Sequence, residues 1–335
     1  MSPSQPTVDT SPPGASGETM NGTTITRSDI WFFDGSIVLE AERTQFRVHQ
    51  AFLARNSSVF SDVFSIPHAD DEPKVEGCPV LQLQDSAEDI KHMLLAVYDR
   101  CYHTREPIPF NAVAAMVRMG RKYEIAALLE EGRSRLHQDY PSTPPGPVGI
   151  KPSSNKSIIE QKGLSFLVAN LAYECNIASI LPNIYFRCVF AGINDILLGK
   201  ELKNGTRFFL TKEVQFACLI GRDKLQTAYR KNLSWLNDVG YLPICSAFGQ
   251  PCRQHARAKL TAILNSGPRF AFLAEGMDSL VNSITDGETL RQVFCGACYA
   301  RARASSREAR DKFWDDLPSY FNLPSWEELK KLEDA

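Results

Sequence analysis

Ser28-Asp29-Ile30-Trp31-Phe32-Phe33-Asp34-Gly35 and Thr44-Gln45-Phe46-Arg47-Val48-His49-Gln50-Ala51-Phe52-Leu53 are the stretches whose reading decides the fold of this chain. Ile30 to Phe33 is an apolar run ending at Asp34-Gly35, a dipeptide suited to hairpin turns, and Ile37-Val38-Leu39 supplies a returning strand. Thr44 to His49 reads as a further strand, with Phe46 and Val48 on one face at period two. After His49 the period lengthens. Phe52, Leu53, Val59, Phe60, Val63 and Phe64 suit two short helices, broken and capped at Asn56-Ser57. That spacing assigns Phe52, Leu53, Phe60 and Phe64 to a core.

Working outward, residues 68–77 form a polar loop before the strand Val80-Leu81-Gln82-Leu83. Ser86-Ala87-Glu88-Asp89 is a capping box ahead of Ile90, Met93, Leu94 and Val97, an amphipathic helix. Phe110, Val113, Ala114 and Val117 repeat the helical spacing, and Tyr123 to Leu136 does so again. Residues 28–139 are therefore expected to fold as an α+β domain, a short mixed sheet capped by helices.

These residues carry a family resemblance. Ser28-Asp29-Ile30, Phe46, Val48-His49, Leu53, Ser57, Phe60 and Phe64, followed by Lys122-Tyr123 and Leu128-Leu129, resemble the BTB/POZ domain. Gly77-Cys78-Pro79-Val80, Val97-Tyr98, and Trp314-Asp315 with Leu317-Pro318 and Trp326 resemble a fungal subset whose members carry a helical C-terminal region. The chain departs from the common pattern at Gly120 and Arg121, where many members have Ala and Asp. A glycine inside a helix costs about 1 kcal/mol against alanine. The resemblance implies a module that associates with itself or with another BTB protein and that in many members recruits a cullin scaffold. It also implies that Asp29, Val48, His49, Leu53, Ser57, Phe60, Phe64 and Tyr123 are structural positions. Asp29 by resemblance lies near a dimer surface; its plainer reading is an edge-strand charge that blunts aggregation. His49, alone between a strand and a helix, reads as a hydrogen-bonding structural residue.

Composition bounds the rest. The chain has 335 residues with 37 basic and 39 acidic side chains, a net charge of −2, and 43% hydrophobic content. This excludes a strongly basic nucleic-acid-coating protein and a wholly disordered one. Residues 1–27 are rich in Ser, Thr, Pro and Gly and read as a disordered tail; they resemble no secretory signal, which places the chain in cytoplasm or nucleus. Five prolines between Pro141 and Pro152 make residues 140–157 a linker. Residues 158–335 read as a mostly α-helical domain, with helical spacing over Leu164–Leu181, Tyr185–Leu198, Val214–Gly221, His255–Leu264, Phe270–Val281 and Leu290–Ala304. Its one strand candidate is Arg207 to Leu210, and no segment is apolar enough to span a membrane.

Enzyme signatures are lacking: there is no Gly-x-Gly-x-x-Gly, Gly-x-Ser-x-Gly or His-Glu-x-x-His. The function that the BTB resemblance implies is therefore kept as the expectation: protein–protein interaction without catalysis, with a cullin-ligase substrate adaptor and a transcriptional or chromatin regulator as alternatives. Nine cysteines in a reducing compartment are thiols or metal ligands. Cys245 and Cys252, with the Cys-x-x-Cys pair Cys295 and Cys298, are candidate ligands of a structural zinc, and His255 is a candidate substitute for one of them. The competing reading makes Cys295 and Cys298 small buried apolar residues of an amphipathic helix. Arg301, Arg303, Arg307, Arg310 and Lys312 read as a solvated helix face, and no aromatics interleave with them to favour nucleic acid. Trp314, Leu317, Phe321, Leu323 and Trp326 read as an apolar tail packing on the helical domain.

Overall fold

The computed structural model describes residues 19–20, 23–66, 73–99, 102, 107–143, 156–202, 205–239, 245–246, 250–265, 292 and 294–334. Most of the expected tail, most of the linker, the helix expected at Phe270–Val281 and the start of that expected at Leu290 lie outside these residues. The chain forms two compact units. One holds the described residues of Met1–Thr104 with Ala114–Glu130, the other those of Arg105–Val113 with Glu131–Ala335.

In the first unit, β1 (Thr19–Met20) and β2 (Thr23–Thr24) form a small antiparallel ribbon. β3 (Thr26–Trp31), β4 (Ile37–Ala41), β5 (Thr44–Val48), the helices α1 (Gln50–Asn56) and α2 (Ser58–Ser65), then β6 (Lys74–Val75) and β7 (Cys78–Leu83) follow. The five-stranded sheet has the order β3-β5-β4-β7-β6. Here the hairpin expected at Asp34-Gly35 is corrected. β3 lies parallel to β5, with Thr26 opposite Thr44, and does not pair with β4. Asp34-Gly35 is still a turn, closed by the Gly35 amide on the Phe32 carbonyl at 3.0 Å. A Cβ at Gly35 would stand 2.8 Å from Arg47 Cγ, so the close approach of β5 fixes this glycine. The true hairpin joins β4 to β5 through Glu42 and Arg43 at φ of 45° and 65°, as the right-handed strand twist demands of a two-residue turn. β7 runs parallel to β4, with Val38 opposite Val80.

α3 (Ala87–Tyr98) starts at the expected cap, where Ser86 Oγ accepts the Asp89 amide at 3.1 Å. Its inner face buries Ile90, Met93 and Leu94. α4 (Phe110–Lys122) and α5 (Ala126–Asp139) follow. The turn between them holds Tyr123 and Glu124, so the helix expected from Tyr123 begins at Ala126. Gly120 of α4 packs against α5, and a Cβ there would meet the Leu129 backbone nitrogen at 2.6 Å.

The second unit is helical, as expected, with more breaks. α6 (Leu164–Glu174) ends before Asn176, which takes φ 52°, and a 3-10 turn at Ala178–Ile180 leads into α7 (Leu181–Val189). The two expected helices over this region are therefore three, since Gly192 at φ 89° separates α7 from α8 (Ile193–Leu198). The strand candidate shortens to β9 (Arg207–Phe208), which pairs with β8 (Lys200–Glu201). α9 (Lys212–Asn232) and α10 (Gln250–Asn265) are longer than their apolar spacing implied. α11 runs from Gly296 to Tyr320, and α12 from Trp326 to Asp334. Pro318 has no amide to donate to the Trp314 carbonyl four residues back, and that carbonyl instead accepts the Trp326 indole N–H at 2.9 Å.

α7 is the hub of this core. Ile184, Tyr185, Phe186, Cys188 and Val189 are all buried, and Phe186 meets Phe313 of α11 at 5.2 Å between ring centroids. The expected packing of the Trp cluster is found: Trp314, Leu317 and Phe321 are buried, and the Trp314 indole N–H donates to the Ser142 carbonyl at 2.9 Å. The last turns of α5 belong to this unit. Asp139 accepts the amides of Ser157 and Ile158 at 3.0 and 3.2 Å, fastening the chain on either side of residues 144–155.

α12 is fastened by Glu333, whose buried carboxylate accepts the Ser179 amide at 3.0 Å and pairs with His137 Nε2 at 3.0 Å. Burial pushes the Glu333 carboxyl up, but the bonds from His137 and Ser179 outweigh it and hold the group below the ordinary value. A carboxylate depressed on folding stabilises the fold above its unfolded value of about 4.3 and loses that contribution as pH falls through the lower folded value. Glu333→Ala should therefore cost about 1–2 kcal/mol at neutral pH by orphaning the Ser179 amide. Chemical denaturation at pH 7 and pH 3 checks this, because the difference between variant and wild type should shrink in acid.

Candidate functional site

Of the eight positions assigned to the first domain, four come together. Ser57 caps α2, its Oγ accepting the Phe60 amide at 3.0 Å while its hydroxyl donates to the Tyr123 carbonyl. The Tyr123 ring stacks on Phe60 with centroids 4.4 Å apart and planes 5° apart, and Phe64 stacks on Phe60 at 5.6 Å. The Tyr123 hydroxyl donates to Asp85, which also receives Lys122 Nζ at 2.6 Å. Burial and the Asp85 carboxylate both push the Tyr123 phenol up, so it stays a proton donor. Asp85 was invisible as a partner in the sequence, because nothing local links residue 85 to residue 123. Val48 and Leu53 are buried in the core with Phe60. Phe64 is only half-buried, which adjusts its expected place in the core.

The other two positions lie elsewhere. His49 follows β5 directly and takes the N-cap position of α1, but its side chain makes no cap bond. Its Nε2 lies 3.1 Å from Asp34 Oδ1, and its Nδ1 faces the Tyr98 hydroxyl at 3.3 Å. The hydroxyl also accepts the His49 amide at 3.0 Å. His49 is thus a fastener between the 32–35 turn, α1 and α3. Asp29 is exposed on β3, an edge strand of the sheet, and pairs with Lys91 at 2.8 Å. The hydrogen bond from Lys91 leads the influences that hold its carboxyl below the ordinary range.

Beside His49 stands an aromatic face that periodicity misassigned. Phe52, expected in the core, is 37% exposed, and its ring meets that of Tyr98 at a tilt with centroids 4.6 Å apart. Phe32 stacks on Tyr98 with centroids 4.8 Å apart, and Phe33, next along the turn, is 88% exposed. The first turn of α1 places Phe52 outward and Leu53 inward. An i, i+1 pair on a seven-residue helix gives too short a pattern to say which faces the sheet.

The second constellation lies in the helical unit. The sulfur atoms of Cys245, Cys252, Cys295 and Cys298 all lie within 4.8 Å of one another. Cys245, Cys252 and Cys298 are buried and Cys295 is partly exposed. Cys252 is the third residue of α10, Cys295 takes the N-cap position of α11 and Cys298 is its third residue, so two helix N-termini converge on the sulfurs. The Cys295 amide donates to Cys252 Sγ at 3.3 Å. Hydrogen bonds from Ser246 and from the Cys298 amide pull the Cys295 thiol down to about 5, whereas burial pushes that of Cys252 up. Ser246 had no signal in the sequence. His255 is exposed on α10 and outside the group of four.

Residues 27–140 match the family model of the BTB/POZ domain. No curated protein matches the chain. The matched segment is the curled mixed sheet with its helices, and the region that follows is helix-rich. Among the described residues no helix is long and apolar enough to cross a membrane.

Proposed function

From a chain whose residues 27–140 form a BTB domain, a non-catalytic protein-interaction module, we propose an interaction protein that pairs with a second copy of itself or with another BTB protein. The pairing surface in this reading is the face of Phe32, Phe33, Phe52 and Tyr98. The observation that carries it is Phe33, 88% exposed and next in sequence to Phe32, whose ring forms a partly exposed cluster with Tyr98 and Phe52. Clustered exposed aromatics mark association sites, since a lone monomer gains nothing by presenting them to water. The neighbouring β3 edge is guarded by the Asp29–Lys91 pair and by Arg27 with Glu76, which disfavours open-ended strand addition and favours docking through side chains.

The module is taken as residues 28–139, the linker as 140–157 and the helical domain as 158–335. Kinship with the fungal subset is supported by Gly77-Cys78-Pro79-Val80, Val97-Tyr98 and the Trp314–Pro318 segment.

The test is light scattering of the full chain with Phe33→Asp and Phe52→Asp combined. Both side chains are exposed, so the fold should be kept. The variant should have half the mass of the wild type with an unchanged circular dichroism spectrum. A folded variant with the wild-type mass would overturn this surface.

A further inference from the structure

We propose that Cys245, Cys252, Cys295 and Cys298 bind one zinc ion in a closed structural site. Geometry carries the inference. Four sulfurs at about 2.3 Å from a central tetrahedral zinc are about 3.8 Å from one another. Cys245 Sγ and Cys295 Sγ stand 3.8 Å apart, and every pair in the group is within 4.8 Å. A disulfide would need a separation of about 2.05 Å, so these sulfurs stand as thiols at metal-ligand spacing. A two- or four-iron cluster holds its cysteine ligands around a larger body than a single ion, and the group is too tight for one.

The surroundings suit four thiolates. Cys252 and Cys298 each sit in the first turn of a helix, and Cys295 takes the N-cap position of the second of these helices, so both positive helix ends lie at the sulfurs. The Cys295 amide already donates to Cys252 Sγ at 3.3 Å, the kind of outer bond that orients a metal ligand and spreads its charge. Four protein ligands fill a tetrahedron and leave no place for water or substrate, which makes the site structural. Ligands drawn from residues 245, 252, 295 and 298 would tie the start of α10 to the start of α11 across some forty intervening residues. In binding, each thiol gives its proton to solvent as its sulfur lone pair coordinates the ion; nothing is oxidised or reduced.

The full chain, purified without an immobilised-metal or chelating step, is assayed by inductively coupled plasma mass spectrometry. One zinc per chain is expected. Half an equivalent or more, retained on dialysis or taken up when zinc chloride is added to metal-free protein, supports the site. Less than half under both conditions overturns it, as does iron in place of zinc. Because alanine variants risk misfolding, cobalt(II) is loaded into the wild-type chain as a second readout. Tetrahedral thiolate coordination should give intense visible d–d bands and sulfur-to-cobalt charge transfer; the pale spectrum of octahedral cobalt would overturn the assignment. Cys298→His, which keeps a zinc ligand, should retain metal where Cys298→Ala loses it.

Discussion

Trp314→Ala should destabilise the helical unit by about 3–5 kcal/mol, the range for truncating a buried large aromatic. Trp314 is among the largest fully buried side chains of the chain, and it is bound on several sides. Its indole N–H donates to the Ser142 carbonyl, its ring stacks on Trp326 at 5.9 Å, and its own carbonyl accepts the Trp326 indole at 2.9 Å. Alanine leaves a cavity, an orphaned Ser142 carbonyl and an unsupported Trp326 together. Trp314→Phe refills most of the volume without the donor and should lose roughly half as much. Unfolding followed by far-ultraviolet circular dichroism measures both. A loss under about 1 kcal/mol for the alanine variant would remove Trp314 from the core.

Gly120→Ala should also destabilise, against the sign that helix propensity alone assigns. Alanine in mid-helix gains about 1 kcal/mol over glycine. The added Cβ, however, would stand 2.6 Å from the Leu129 nitrogen and 3.0 Å from its Cα. Both are backbone atoms of α5 and cannot rotate aside, so α4 and α5 must separate. Overpacking of this kind costs about 1–3 kcal/mol, and contact with backbone puts it at the upper end, for a net loss of about 1–2 kcal/mol. A lowered Tm supports this close packing of the two helices, and a raised one contradicts it.

The sequence was legible where local chemistry is sufficient. Ser86 caps α3 and Ser57 caps α2 because a hydroxyl bonds an amide three residues on, within reach of any reading. β7, the amphipathic α3 and the helical character of the second unit followed from periodicity. It failed where the partner is distant. Asp34-Gly35 announces a turn but cannot say that the next strand to pair with β3 is β5, and Glu42-Arg43 makes the real hairpin without the Gly or Asn that signals one. Asn176 and Gly192 break helices through positive φ inside runs whose apolar spacing looks continuous. The four cysteines were visible as two pairs, but only the fold brings residues 245 and 295 to 3.8 Å. The aromatic face was hidden by a one-residue choice between Phe52 and Leu53.

The proposed self-association through the BTB domain is read from the mass of the unmodified full chain in solution. Sedimentation equilibrium across a micromolar dilution series should give twice the 37.4 kDa chain mass at the upper concentrations, falling toward a single chain on dilution. A constant mass of 37.4 kDa throughout would contradict it.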